Sequence, residues 1–256
     1  MKIVACIKQV PDSAAKVVAE NGQVSWGDAP LVINPWDEFA VEAALQQKEA
    51  HGGEVIAVSM GAENAKEALK HALAMGCDSA ILVSDDALAN LDTQGTAHVL
   101  AAAIQKVGGV EAAFFGRQAI DGDAGITPAQ TARVLGWPML SLCATITVDG
   151  SKAKVERSIE EGRQTVSADL PAVFSVVKDF GEPRYPSFMG IRKASKAEIP
   201  AWTLADLGIA APASVIEWPE LMNPPSRDIT CEIISGGSPE EIADQLADKI
   251  LAEKVL

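Results

Sequence analysis

At 256 residues the chain amounts to one large domain or one domain with an extension, at about 100–200 residues per domain, and it is long enough to bury a core without disulfide or metal staples. Its composition, 48 % hydrophobic and 22 % charged, excludes intrinsic disorder and collagen-like structure for the chain as a whole. Thirty-five acidic against 21 basic residues give a net charge of −14, which argues against nucleic acid or an anionic membrane surface as a partner.

The first half alternates short apolar runs with helical patterns. Residues 3–7, Ile3-Val4-Ala5-Cys6-Ile7, are apolar without alternation, as in a strand of a parallel sheet buried on both faces. Residues 54–59, 80–84 and 112–115 read the same way. Between them lie helical stretches of the length that parallel crossovers require. The first follows Asn34, with Asn34 as N-cap, Pro35 in the first turn and Asp37 and Glu38 at its electropositive end. The second covers residues 63–75, the third starts at Asp92 and runs to Val107, and the fourth runs from Pro128 to Gly136. This alternation predicts a doubly wound, mainly parallel α/β sheet.

After Trp137 the pattern changes. Residues 140–148, 154–158, 164–168 and 172–177 are strand-like and closely spaced, which predicts an antiparallel extension of the sheet. Residues 183–225 are rich in proline and lack a hydrophobic stripe, so this segment is expected to lie on another subunit. A strand is expected at 229–234. A helix is expected at 238–253, opened by a capping box of Ser238 and Glu241. The division that follows is a nucleotide-binding domain over 1–182 and a partner-wrapping segment over 183–256.

Cys6, Cys77, Cys143 and Cys231 are far apart, with no C-x-x-C and no zinc spacing, and read as small buried hydrophobes in a reducing compartment. The three histidines form no metal or nucleophile motif and read as helix-surface residues. No apolar run is long enough to cross a bilayer, and with no h-region or cleavage site visible after Lys2 no targeting peptide is expected. A cytoplasmic protein without direct membrane insertion is expected. No Ser-His-Asp, Cys-His or paired-carboxylate arrangement marks a hydrolase.

In open α/β sheets ligands bind beyond the carboxyl ends of the strands. Three loops qualify: Lys8 to Asp12, Met60 to Asn64, and Gly116-Arg117-Gln118-Ala119-Ile120-Asp121-Gly122-Asp123-Ala124-Gly125-Ile126-Thr127. The third is the most informative. Its glycines admit close approach of a ligand, and Thr127-Pro128-Ala129-Gln130 reads as a capping box that delivers the loop to a helix N-terminus, an anion site. The loop is neither a Walker A motif nor a G-x-G-x-x-G fingerprint. From the residues alone, a nucleotide site and a long, well-capped loop both remain open.

The segments Cys6 to Asp12, Asn34-Pro35-Trp36-Asp37 and the residues following it to Ala44, Ala72 to Asp78, Gly116 to Asp123, and Glu182-Pro183-Arg184-Tyr185 together resemble the β subunit of electron transfer flavoprotein. The resemblance covers nearly the whole chain. It implies a nucleotide-binding fold related to the adenine-nucleotide α-hydrolases. It also implies a larger α subunit as heterodimer partner, FAD shared with that subunit, and AMP or a second FAD in this subunit's own pocket. Carried over by motif, that pocket is lined by Cys6, Asn34, Pro35, Trp36, Asp37, Met60 and Gly116 to Thr127. Tyr185, Phe188 and Met189 match the family's recognition loop, with Phe188 as the partner anchor.

The function so implied is an electron carrier rather than an enzyme. It would take electrons from acyl-CoA or other flavin dehydrogenases and pass them to a quinone reductase or another acceptor. Gly125-Ile126-Thr127 departs from the Asn-Gln-Thr of AMP-binding members, which leaves open an NADH-oxidising, electron-bifurcating subunit with a second FAD. A stand-alone, stress-type adenine-nucleotide binder is the third alternative.

Overall fold

The computed structural model describes residues 1–20, 22–89, 91–216, 220–225 and 230–254. The chain forms two units, Met1–Leu221 and Met222–Leu256. In chain order the first contains β1 (Lys2–Cys6), β2 (Gln9–Pro11), β3 (Val18–Glu20), β4 (Gln23–Ser25), β5 (Leu31–Ile33), α1 (Pro35–His51), β6 (Glu54–Met60), α2 (Lys66–Met75), β7 (Ser79–Val83), α3 (Thr93–Val107), β8 (Ala112–Gly116) and α4 (Thr127–Leu135). It continues with β9 (Met139–Asp149), β10 (Lys152–Ile159), β11 (Gly162–Asp169), β12 (Ala172–Val176), α5 (Phe188–Ala194), β13 (Ala201–Trp202) and α6 (Leu204–Leu207).

Nine strands make one sheet in the order β11-β10-β9-β12-β8-β1-β6-β7-β13. From β9 to β13 every neighbouring pair is parallel. The unbroken apolar strands are explained by burial on both faces. Ile3 and Ala5 of β1, with Val55 and Ala57 of β6, pack beneath α1 and α2. The alternate residues Val4, Cys6, Ile56 and Val58 pack on the opposite face with Val99, Leu100 and Ile104 of α3 and Ala132 of α4. From β1 the chain winds outward through β6 to β7, whereas β8 joins on the other side of β1, so the winding direction reverses between β1 and β8.

The antiparallel extension is narrower than the strand spacing predicts. It is confined to the β9–β10–β11 meander, while β12 inserts between β9 and β8, parallel to both. Part of the proline-rich segment packs on its own domain. Ser84 and Leu82 donate backbone hydrogen bonds to Trp202 and Pro200, which seats β13 on β7. Gly190 of α5 sits so close to Ala74 O of α2 that a Cβ there would collide with it.

The second unit contains α7 (Pro239–Ala252), opened by the expected reciprocal box: Ser238 Oγ accepts from Glu241 N–H and the Glu241 carboxylate accepts from Ser238 N–H. No residue of α7 is buried, and Leu246 and Leu251 are exposed. Of the strand expected at 229–234, Ile229 lies outside the described residues, and the chain from 230 to 234 is not a strand.

Candidate functional site

Cys6 at the end of β1, Met60 at the end of β6 and Gly116 at the end of β8 converge on one cavity of about 290 Å³. It lies at the winding reversal, where the sheet topology places ligands, and its size sits at the lower limit of small-molecule sites, which run about 300–1,000 Å³. Of the expected residues, Asp37, Gln118, Ala119, Gly122, Asp123, Ala124, Gly125 and Thr127 also line it.

Asn34, Pro35, Trp36, Arg117, Ile120, Asp121 and Ile126 stand behind or beside the wall, and most of them hold it in place. Asn34 is fully buried. It was expected to cap α1, but its side chain makes no cap bond. Its Nδ2 donates to Gln118 O (2.8 Å) and its Oδ1 accepts from Ile120 N–H (3.2 Å). Pro35 takes the first position of α1, where its missing N–H costs nothing. The Trp36 ring lies 5.7 Å from the Arg117 guanidinium, within cation–π reach. Lys8 Nζ donates to both oxygens of Asp121, at 2.8 and 2.6 Å.

Asp37 ties the two central strand ends together. Its carboxylate accepts from Lys8 N–H (2.7 Å) and Gly116 N–H (3.2 Å). Burial pushes its pKa up to about 7, against the lowering effect of those two bonds and of Asn34. The same burial, with Asp37 beside it, holds the Cys6 thiol far above its ordinary range. Cys6 is therefore a small apolar wall and not a thiolate nucleophile. Gly116 has no room for a side chain, because a Cβ would collide with Asp37 Oδ1 and the Trp36 backbone.

The loop then enters α4, but not by the expected box. Ile126, not Thr127, is the N-cap, and no side chain caps the helix. No acidic residue stands in the first turn. The α4 N-terminus thus offers its first amides, with the positive end of the helix dipole, to an anion. Asp123 (φ 52°) and Gly125 (φ 64°) supply the left-handed turns that bring the chain there.

Leu88, Leu91, Thr93, Thr96 and Leu100 form a further part of the wall, and none of them follows from the strand-end argument. The start of α3 at Asp92 is legible in the sequence. Its facing is not, because it depends on β7 lying next to β6. A second, more open recess of about 490 Å³ is lined by Arg117, Ser141, Leu142 and Ser175, and it shares Gln118, Asp123, Ala124 and Gly125 with the cavity.

Tyr185, Phe188 and Met189 lie outside this site. They are 92, 80 and 68 % exposed, and the chain is clamped on both sides of them. Arg184 donates to Glu42 (2.7 Å) and Glu49 (2.5 Å) of α1, and Gly190 abuts α2. Ser158 Oγ donates to Asp179 (2.7 Å).

Cys6, Cys77 and Cys143 are buried as expected, whereas Cys231 is exposed. Among the described residues no group of side chains is placed to hold a metal ion, and no helix is long and apolar enough to cross a membrane.

Residues 24–207 match the family model of the electron transfer flavoprotein domain. The "Caffeyl-CoA reductase-Etf complex subunit CarD" of Acetobacterium woodii is 36 % identical over the whole of both chains. The "Electron transfer flavoprotein subunit beta" of Megasphaera elsdenii is also 36 % identical over the whole of both chains. The protein of the same name from Mycobacterium leprae is 39 % identical over 81 % of this chain and 80 % of its own. The match of residues 24–207 to that family model, with full-length likeness to a protein named as a β subunit, shows that this chain belongs to the electron transfer flavoprotein family.

Proposed function

We propose that this chain is the β subunit of a heterodimeric electron carrier, with an adenine nucleotide in the cavity at the ends of β1, β6 and β8. Subunits of this family carry electrons and are not enzymes in the ordinary sense. The observation that carries the nucleotide reading is the cavity itself. Main-chain groups of Lys8 and Gly116 are drawn together by Asp37, and the uncapped start of α4, whose Thr127 and Pro128 line the cavity, is open to a phosphate. Residues 116–127 and the first turn of α4 would hold the nucleotide, with Asn34 and Asp37 keeping the loop in shape.

FAD held with the larger subunit supplies electron acceptance and donation when bound, since that chemistry belongs to the cofactor. The residues of this chain position the nucleotide and present docking surface. Tyr185, Phe188 and Met189 form the surface for flavin dehydrogenases, and the unburied apolar residues of α7 form one for the larger subunit. Electrons would enter from acyl-CoA or other flavin dehydrogenases and leave to a quinone reductase or another acceptor.

A second reading is an electron-bifurcating subunit with a second FAD. It is favoured by the recess that shares Gln118 and residues 123–125 with the cavity, because a dinucleotide exceeds the inner volume and needs such a continuation. The CarD name of the Acetobacterium woodii relative, in a complex with a reductase, points the same way. Purifying the chain with its larger subunit and counting nucleotides after acid release tests both. One FAD and one AMP per heterodimer supports the carrier, two FAD support bifurcation, and no adenine nucleotide in this chain refutes both.

A further inference from the structure

Tyr185, Phe188, Met189 and Ile191 all stand in solvent on one short stretch of chain. A slack loop of this composition would fold back to bury them, so their exposure asks what holds the chain out. Pro183 and Pro186 fix their own φ and disfavour helix at Glu182 and Tyr185 before them. The chain from 182 to 187 is accordingly neither helix nor strand.

The anchor is on α1. Glu42, Gln46 and Glu49 recur at the spacing that places them on one helix face, and Arg184 lies across it. Its Nε and Nη2 donate to the two oxygens of Glu42 (2.7 and 3.1 Å). Its Nη1 and Nη2 donate to the two oxygens of Glu49 (2.5 and 3.2 Å). Its backbone N–H donates to Glu42 as well (3.1 Å), and Gln46 Nε2 adds a donor to Glu42 Oε1 (2.8 Å). Two bidentate pairs and a main-chain bond fix both the backbone and the side chain at 184, which a lone surface ion pair does not. On the far side Ser187 Oγ accepts from Gly190 N–H (2.9 Å), and Gly190 lies against Ala74 O with no space for a Cβ. The apolar group projects between these two fixed points.

We propose that Arg184 is a positioning residue for electron transfer: by clasping Glu42 and Glu49 it holds Phe188 and its neighbours in the geometry against which a flavin dehydrogenase docks. The proposal rests on the docking reading of Tyr185, Phe188 and Met189 above and adds the residue that sets its affinity. The guanidinium is spent on α1, so its effect falls on docking and not on the transfer step. Without the clasp the partner has to order the loop as it docks, and affinity is lost.

The test uses the heterodimer loaded with FAD, as electron acceptor of an acyl-CoA dehydrogenase that reduces the wild type. KM for the heterodimer and kcat are read separately, and amide hydrogen exchange is followed in the free heterodimer. Arg184→Ala is expected to raise KM about tenfold with kcat within about twofold, and to speed exchange at Ser187, Phe188 and Met189. Arg184→Lys falls between that variant and the wild type. The Glu49 side chain is 58 % exposed, and Glu49→Gln leaves the buried Glu42 paired. It therefore spares the fold, and is expected to raise KM about threefold. Should Arg184→Ala not fold, Glu49→Gln carries the test.

Unchanged KM in the clasp variants overturns the proposal, as does a fall in kcat at constant KM, or exchange at 187–189 as slow as in the wild type. Phe188→Ala in the same assay separates two failures. If it raises KM while the clasp variants do not, the positioning role alone falls. If it also leaves KM unchanged, the docking reading falls with it.

Discussion

Asp37 accepts the backbone N–H of Gly116 at 3.2 Å, and that one contact joins the first turn of α1 to the end of β8. The same carboxylate holds Lys8, so the two strands on either side of the winding reversal are fixed at one point. Gly116 is packed so tightly here that a methyl group would strike Asp37 and the Trp36 backbone. Gly116→Ala should destabilise the protein by about 1–3 kcal/mol, the usual cost of overpacking, and lower its nucleotide content. Urea unfolding and nucleotide release measure the two. A variant as stable as the wild type would show that this approach is not tight.

The raised pKa of Asp37 makes a distinct pH prediction. The group titrates at about 7 in the fold against 3.8 ordinarily, because burial disfavours its charge. Between those values the folded chain holds a proton that the unfolded chain has released. The stability tied to this proton is complete below about pH 4 and is lost as pH rises through about 7. Relative to Asp37→Asn, the wild type should lose stability on the order of a few kcal/mol across that window. Urea midpoints at successive pH values report it, and parallel curves for the two proteins would contradict it.

Glu42 is buried, and Arg184 reaches it with both backbone and side chain. Burial raises the Glu42 pKa, but the hydrogen bonds from Arg184 and Gln46 outweigh it and leave the carboxyl below its ordinary value. Arg184→Ala leaves Glu42 only the residue-184 N–H and Gln46 Nε2 as donors and should cost about 1–3 kcal/mol. Arg184→Lys should recover only part of this, since a lysine cannot span Glu42 and Glu49 with a planar fork. Thermal melts of both variants check the order, and equal melting temperatures for wild type and Arg184→Ala would show the clasp to be idle.

Phe188 is 80 % exposed, so its removal should leave the fold alone. Phe188→Ala is expected to keep the melting temperature and nucleotide content within error while slowing electron transfer from a partner dehydrogenase at least about tenfold, as loss of an aromatic anchor does. Stopped-flow reduction of the heterodimer by the dehydrogenase reads this directly. Unchanged transfer would remove Phe188 from the docking surface.

The central sheet was legible because β1, β6, β7 and β8 are buried on both faces, which leaves runs such as Ile3 to Ile7 with no alternation. The convergence of Cys6, Met60 and Gly116 was legible for the same reason, since strand ends in such a sheet share one edge. What escaped depended on distant partners. Asn34 has the chemistry of a cap, but its amide is claimed by Gln118 and Ile120, more than eighty residues away. The position of β12 beside β8 was hidden because a run buried on both faces, such as Ala172–Val176, does not say which strands flank it. Packing of Gly190 on Ala74 carries no hydrophobic stripe, so the segment around it appeared to lack a home on its own domain. The part of the cavity wall from Leu88 to Leu100 was invisible because only the strand order turns the start of α3 toward the cavity.

One adenine nucleotide is proposed to occupy the cavity between the ends of β1, β6 and β8. The most direct measurement is quantitative chromatography of nucleotides released by acid from the heterodimer, for the wild type and for Gly116→Ala. One adenine nucleotide per heterodimer is expected beyond the FAD of the larger subunit, and its loss in the variant. A wild type carrying that FAD and nothing further would contradict it.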